Sequence, residues 1–316
     1  MTEIHTKLKF LKFFQKNIFP PKKLQKLQFC MNFSELLWQP DVLRTQCAGP
    51  VLAVLNHAGL LDNSASFPSA HQLNQVARAS REVWHGPEFK AQGEYPESES
   101  RYYEAIIAED SQVPTREHSW HDLFNALVWI QFPRTKALLN RLHMEDINLK
   151  GAHPRTPRRN RITHFDECGV VIAVEEDHLQ KGNALLSQLA HHQWNQVFLE
   201  ERSAWGEILH PFVFGHANFE MMLSPFEGLT GKWMAIKVPR GFSNESVERQ
   251  HERLDVALCE RIQDLDNFNR APLLKPIPLL GIPHWYQEQT PCFYENKDYF
   301  RPMSVTSKPS VQLPLT

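Results

Sequence analysis

The sequence predicts an α+β fold: a predominantly helical single domain with a β-hairpin, a few further short strands and an extended Pro-rich C-terminal strap. Three observations predict it. A capped, apolar helical pattern opens at Ser119. The best apolar runs elsewhere, Val51 to Leu55 and Gly169 to Val174, are only strand-sized. From Ala271 onward the chain is broken by prolines in P-L-L-K-P-I-P-L-L-G-I-P-H-W, a density that stops helices.

The 316 residues are 42% hydrophobic and 22% charged, which is enough chain to bury roughly three quarters of the unfolded surface. Residues 1–30 read as a basic amphipathic N-terminal segment, 31–302 as a single globular domain, and 303–316 as a disordered tail. The N-terminal segment holds seven Lys and one Glu, a balance of +6 in a chain of net −2. Its lysines alternate with Phe10, Phe13 and Phe14, so it can lie on an anionic membrane surface as an amphipathic helix. Packing of the same Phe face onto the domain is the other reading. Those lysines also rule out the continuous apolar stretch of a signal peptide. No run is long enough to span a bilayer. The five cysteines, at 30, 47, 168, 259 and 292, form no C-x-x-C pair, so free thiols in the reducing cytoplasm are expected.

Along the chain, a helix is expected from Phe33 to about Leu43, then a turn at Ala48-Gly49-Pro50. Residues 82–110 carry eight acids against Lys90 and Arg101 and read as a solvated, acidic region. At Ser119 the words S-W-H-D open the helix L-F-N-A-L-V-W-I-Q-F, with Ser119 and Asp122 spaced as a capping box. It is apolar nearly all round, so it belongs in the core. The segment R-I-T-H-F-D-E-C-G-V-V-I-A-V reads as the hairpin, turning at Gly169. Helices are expected over 177–199, over G-H-A-N-F-E-M-M-L and over 243–269, with a strand at K-W-M-A-I-K-V.

W-H-D-L-F-N-A-L-V-W-I-Q-F-P-R-T-K-A-L-L-N, T-H-F-D-E-C-G-V-V, F-G-H-A-N-F-E, and the strap P-L-L-G-I-P-H-W with F-Y-E-N-K-D-Y-F-R-P carry a resemblance. Together they resemble a family of uncharacterised bacterial proteins classed as a domain of unknown function, over roughly residues 100–302. His284 stands where that family's strap pattern has Gly. The resemblance implies a bacterial source and a single fold, and it carries no chemistry.

Chemistry has to come from the residues. His121, Asp122 and Asn125 place three polar groups in one turn of an apolar helix, where an unpaired group costs ~1–3 kcal/mol. They therefore line a catalytic cleft or sit in a hydrogen-bond network. His216 and Glu220, also one turn apart, can supply an imidazole and a carboxylate to one metal, pair as a general-base imidazole with its orienting carboxylate, or form a helix-face ion pair. If the two helices meet, His121, His216 and Glu220 make a two-histidine, one-carboxylate set for a divalent metal, zinc or iron. Asp166 and Glu167 can add a metal ligand or a general acid, but D-E-x-G is common turn chemistry and they read as turn acids of the hairpin. Arg134, Lys136, Arg158 and Arg159 form a basic rim for an anionic substrate, or a solvated loop. The slightly acidic chain, with no nucleic-acid motif, disfavours nucleic acid as a partner. No G-x-G-x-x-G, Walker loop or G-x-S-x-G elbow occurs. The expected function is a metal-assisted hydrolase acting on an anionic substrate. The alternative is a non-catalytic binding or scaffold protein, peripheral at the inner membrane through residues 1–30.

Overall fold

The structure is a computed structural model that describes residues 38–316. The basic segment 1–30 and the first residues of the helix expected from Phe33 lie outside the described residues. In chain order the elements are α1 (Pro40–Gln46), α2 (Gly49–His57), α3 (Leu60–Asn63), α4 (Ala70–Ala79), β1 (Glu88–Ala91), α5 (Tyr103–Asp110), β2 (Gln112–Thr115), α6 (Trp120–Gln131) and α7 (Pro133–Lys150). There follow α8 (Pro157–Cys168), β3 (Gly169–Glu175), α9 (Leu179–Ala190), β4 (His210–Val213), α10 (His216–Met222), β5 (Thr230–Val238), α11 (Val247–Asp264), β6 (Lys275–Pro278) and α12 (Pro291–Tyr294). The fold is α+β. No helix of the described residues is long and apolar enough to cross a membrane.

The main sheet has the order β4-β3-β5-β6, with β3 and β5 parallel and the two edge strands antiparallel. All seven residues of β3 are buried, which explains its unbroken apolar run: a central strand covered on both faces has no polar side to alternate. Pro276 and Pro278 sit in β6, an edge strand, where a missing N–H costs least. A small parallel pair, β1 with β2, stands apart from this sheet.

Helix α6 is as apolar as its sequence implies. Every residue except His121 is buried. The Ser119 hydroxyl accepts from the Asp122 N–H, forming half of the expected capping box, while the Asp122 carboxylate turns to Arg116 instead. Around α6 pack α10, α7 and α4.

The hairpin is not formed. Residues 157–168 are helix α8, running directly into β3. Thr156 caps the helix by accepting from the Arg159 N–H, and Pro157 occupies its first turn. Ile162 and Phe165, both fully buried, give the helical three-residue spacing that the β-rich composition obscured. Gly169 has φ −64°, so no turn reverses there. Its need is closeness: a Cβ would lie 2.4 Å from the Phe165 carbonyl oxygen.

Other expectations are also revised. The turn expected at Ala48-Gly49-Pro50 is instead the start of a helix that takes in Val51 to Leu55, a run whose five apolar residues leave strand and helix undistinguished. The helix expected over 177–199 breaks after Ala190, with His192 at φ 56° and a π-turn over Gln196–Glu200. Residues 303–316 carry no helix or strand, yet they are tied down. The Gln312 side chain, 1% exposed, accepts from the Ala235 N–H of β5 and donates to the carbonyls of Trp233 and Leu273. Asn183 of α9 clamps the main chain of Leu315 from both sides. A buried amide that completes an open strand edge orders a tail whose composition suggests disorder.

Candidate metal centre

Three helices bring three potential ligands together. His121 comes from the first turn of α6, His216 from the first residue of α10, and Glu167 from the last turn of α8. One ligand atom from each lies within 4.8 Å of the other two. His121 Nε2 is 3.4 Å from Glu167 Oε2, and His216 Nε2 is 3.1 Å from the same oxygen. The two imidazoles meet edge to face, 4.6 Å between centroids. Ligands bound to zinc at ~2.0–2.1 Å in a tetrahedron stand about 3.4 Å apart, so the spacing fits one small cation. Glu167 Oε2 is buried and makes no aligned hydrogen bond despite its two close nitrogens.

A glycine makes the convergence possible. Gly215 precedes His216, and a Cβ there would fall 2.4 Å from the Glu167 carbonyl oxygen and from the Gly169 N–H nitrogen. The α10 start is thereby pressed onto the α8–β3 junction. Gly215→Ala is expected to destabilise the fold by ~1–3 kcal/mol and to draw His216 away from Glu167. Chemical denaturation checks the first effect and His216 imidazole NMR shifts check the second.

Behind His121 stands an orienting set. Its Nδ1 is 2.9 Å from Asp122 Oδ1. Arg116 holds Asp122 with its main-chain N–H (2.8 Å), Nε (2.9 Å) and Nη2 (2.7 Å). A carboxylate on Nδ1 fixes the ring so that Nε2 faces the cluster. Burial works against a charge on His121, but its contacts with Asp122 and Glu167 prevail and carry its pKa up to about 10. Burial likewise opposes ionisation of Asp122, and Arg116 with His121 overcomes it, holding the carboxyl well below its usual range. Glu167 is driven well below the carboxylate range by His216 and His121, against the cost of burial. Acids in the last turn of a helix also face the negative end of its dipole, so Glu167 needs these cations.

Several expected roles change. Glu220, expected as the carboxylate ligand, is not one of the three; Glu167, expected as a turn acid, takes that place. Glu220 sits one turn beyond His216, close enough to feel His121, Glu167 and His216, and burial raises its pKa. Asp122 is an orienting group behind His121. Asn125 does not face His121's partners; its amide donates to the Tyr103 hydroxyl and accepts from Lys136 Nζ, both at 2.9 Å. Lys136, 4% exposed, also binds Asp166, the other supposed turn acid. The basic rim is dispersed. Arg134 is exposed on a separate hollow shared with Lys237, Arg249 and Arg253, which none of the three cluster residues lines. Arg158 is satisfied by Glu145, Asp146 and the Asn267 carbonyl. Arg159 is fully buried and faces Tyr102.

His143 lies on α7 in the same polar layer as Lys136. Burial first, helped by the charges of Arg155, Arg159 and Lys136 and opposed by that of Asp166, pushes its pKa down to about 4. The unfolded chain therefore binds the extra proton first. His143 contributes stability above its unfolded pKa of about 6.5, and this is lost as the pH falls toward 4, by roughly 3 kcal/mol at most. His143→Gln is expected to flatten the stability–pH curve between these values in urea titrations.

Sequence reasoning singled out His121, Asp122 and His216, set Glu167 aside as a turn acid, and missed Arg116. A signal for Glu167 existed: read as a helix from the Thr156-Pro157 cap, α8 places an acid in its last turn, where it demands a cationic partner. Arg116 left no such trace.

No curated protein and no solved structure matches the chain. A family model does match, over residues 88–304, and that span contains His121, Glu167, His216 and the whole main sheet. The chain therefore belongs to the family described as "Protein of unknown function (DUF3025)".

Proposed function

We propose that this protein is a metal-assisted hydrolase whose divalent ion, zinc or iron(II), is held by His121, Glu167 and His216. The convergence of three ligand atoms within 4.8 Å, backed by the Asp122–His121 hydrogen bond, carries the reading. Three protein ligands leave a position for water, and an ion bound there would lower that water's pKa toward neutrality. In this reading a substrate approaches from the side of His121, whose side chain is a quarter exposed. Glu220, one turn beyond His216 and biased by burial toward its protonated form, in the same reading takes up and returns a proton. Asp122 and Arg116 keep His121 in one tautomer throughout. The free thiols among the described residues agree with a cytoplasmic setting.

Elemental analysis of the purified full chain tests the centre. About one equivalent of zinc or iron is expected, removed by chelator and restored on reloading. The loaded protein is then tested against p-nitrophenyl acetate and bis(p-nitrophenyl) phosphate. A folded protein that takes up no divalent ion sinks the reading.

One observation favours a non-catalytic scaffold instead. His121, Asp122 and Glu167 already neutralise one another as a buried ion network, which can be wholly structural. In that case His216→Ala lowers stability and changes no metal content. Its companion idea, membrane docking through residues 1–30, is checked by liposome co-sedimentation with and without that segment.

A further inference from the structure

We infer that the buried polar layer between α5, α7 and α8 holds a small oxyanion of the phosphate class, received by Arg155, Arg159 and His143. The anomaly that points there is Arg159. Its side chain is 0% exposed, yet among the described residues no carboxylate lies within ion-pair range. Its contacts are the Ala152 carbonyl (2.7 Å), the Tyr102 hydroxyl (3.2 Å) and the Tyr102 ring face (5.4 Å), all of them neutral. Arg158, the preceding residue, shows the ordinary solution, with two carboxylates. A buried guanidinium without a counter-charge is costly, so a sequence that keeps one has something to place against it.

The surroundings agree. Arg155 bonds only the Thr163 hydroxyl, and it too has no ion pair among the described residues. The Nε–H groups of Arg155 and Arg159 and the Nδ1 of His143 are all buried without a hydrogen-bond partner. Two acids lie near these charges, and neither forms an ion pair with Arg155 or Arg159 among the described residues. Asp166 is engaged by Lys136. Glu104 forms no ion pair, and burial raises its pKa even though Arg155 and Arg159 oppose that. The unused groups are the Nε–H of Arg155, the Nε–H of Arg159 and one ring nitrogen of His143, on three separate side chains and not one guanidinium fork. That arrangement suits a tetrahedral oxyanion better than a planar carboxylate. Burial excludes a polymeric phosphate such as nucleic acid. The site stands without the metal centre and can be tested in its absence.

The experiment is isothermal titration of the full chain, treated with chelator, with inorganic phosphate at low salt. Acetate is the carboxylate arm and sodium chloride the ionic-strength control. Saturable phosphate binding is expected, with acetate weaker. Arg155→Gln should weaken phosphate binding at least ~10-fold, whereas Arg158→Gln should leave it unchanged. Arg159→Lys is measured alongside, with folding checked by circular dichroism; if it fails to fold, Arg155→Gln and His143→Gln decide. Absence of saturable phosphate binding means that the layer holds water only and overturns the inference. Equal affinity in Arg155→Gln, or an equal loss in Arg158→Gln, overturns it as well. Since no metal is present, these outcomes leave the metal reading untouched.

Discussion

Glu167→Gln is expected to abolish stoichiometric divalent-metal binding, with an affinity loss of at least ~100-fold, while the chain still folds. The side chain keeps its shape but gives up the anionic oxygen on which His121 Nε2 and His216 Nε2 converge. His216→Ala should do the same by removing a ligand outright. Asp122→Asn should be milder, ~10–100-fold, because it loosens the ring of His121 without removing a donor. Glu220→Gln should leave metal content intact and reduce turnover, which separates the ligand from the neighbouring acid. Competition titrations against a chromophoric chelator measure the whole series. Full metal retention in Glu167→Gln would refute the ligand assignment. Metal uptake should also release protons, since His121 is held protonated in the metal-free chain and must be neutral to ligate.

The second large effect concerns stability. Lys136→Met should cost ~3 kcal/mol, and on the order of 5–10 °C in melting temperature. Lys136 Nζ is buried between Asp166 and Asn125 and lies 5.5 Å from the Trp129 ring. Removing the ammonium strands a carboxylate that is only 24% exposed and leaves the Asn125 oxygen without its donor. The double variant Lys136→Met/Asp166→Leu should recover much of the loss, because a pair replaced whole leaves no uncompensated charge. Equal stability of Lys136→Met and the parent in denaturant titrations would show that the pair contributes nothing.

Helix α6, helix α10 and strand β5 were legible in the sequence because each writes one strong pattern: a capped apolar run, an apolar turn before Ser224-Pro225, and a β-rich stretch. Helix α8 was not. Its Ile, Thr and Phe, running into the valines of β3, read as strand, and only the packing of Ile162 and Phe165 against the core shows the helical period winning over local propensity. The consequence reached the site. Taken as a turn, Asp166 and Glu167 were ordinary surface acids; taken as a last helical turn, they became partners of Lys136 and of two histidines.

The amino-acid order alone determined which elements are greasy enough to be central and which of them carry polar residues needing an explanation, His121, Asp122, Asn125 and His216 among them. Tertiary structure decided who answers whom. Asn125 went to Lys136, Asp122 to Arg116, and Glu167 displaced Glu220 as the third ligand. The physical reason is reach. A helix pattern reports which side of its own axis a residue occupies, whereas convergence depends on how closely separate helices approach. Here that approach is set by the missing side chain of Gly215, 48 residues beyond the acid it brings into line.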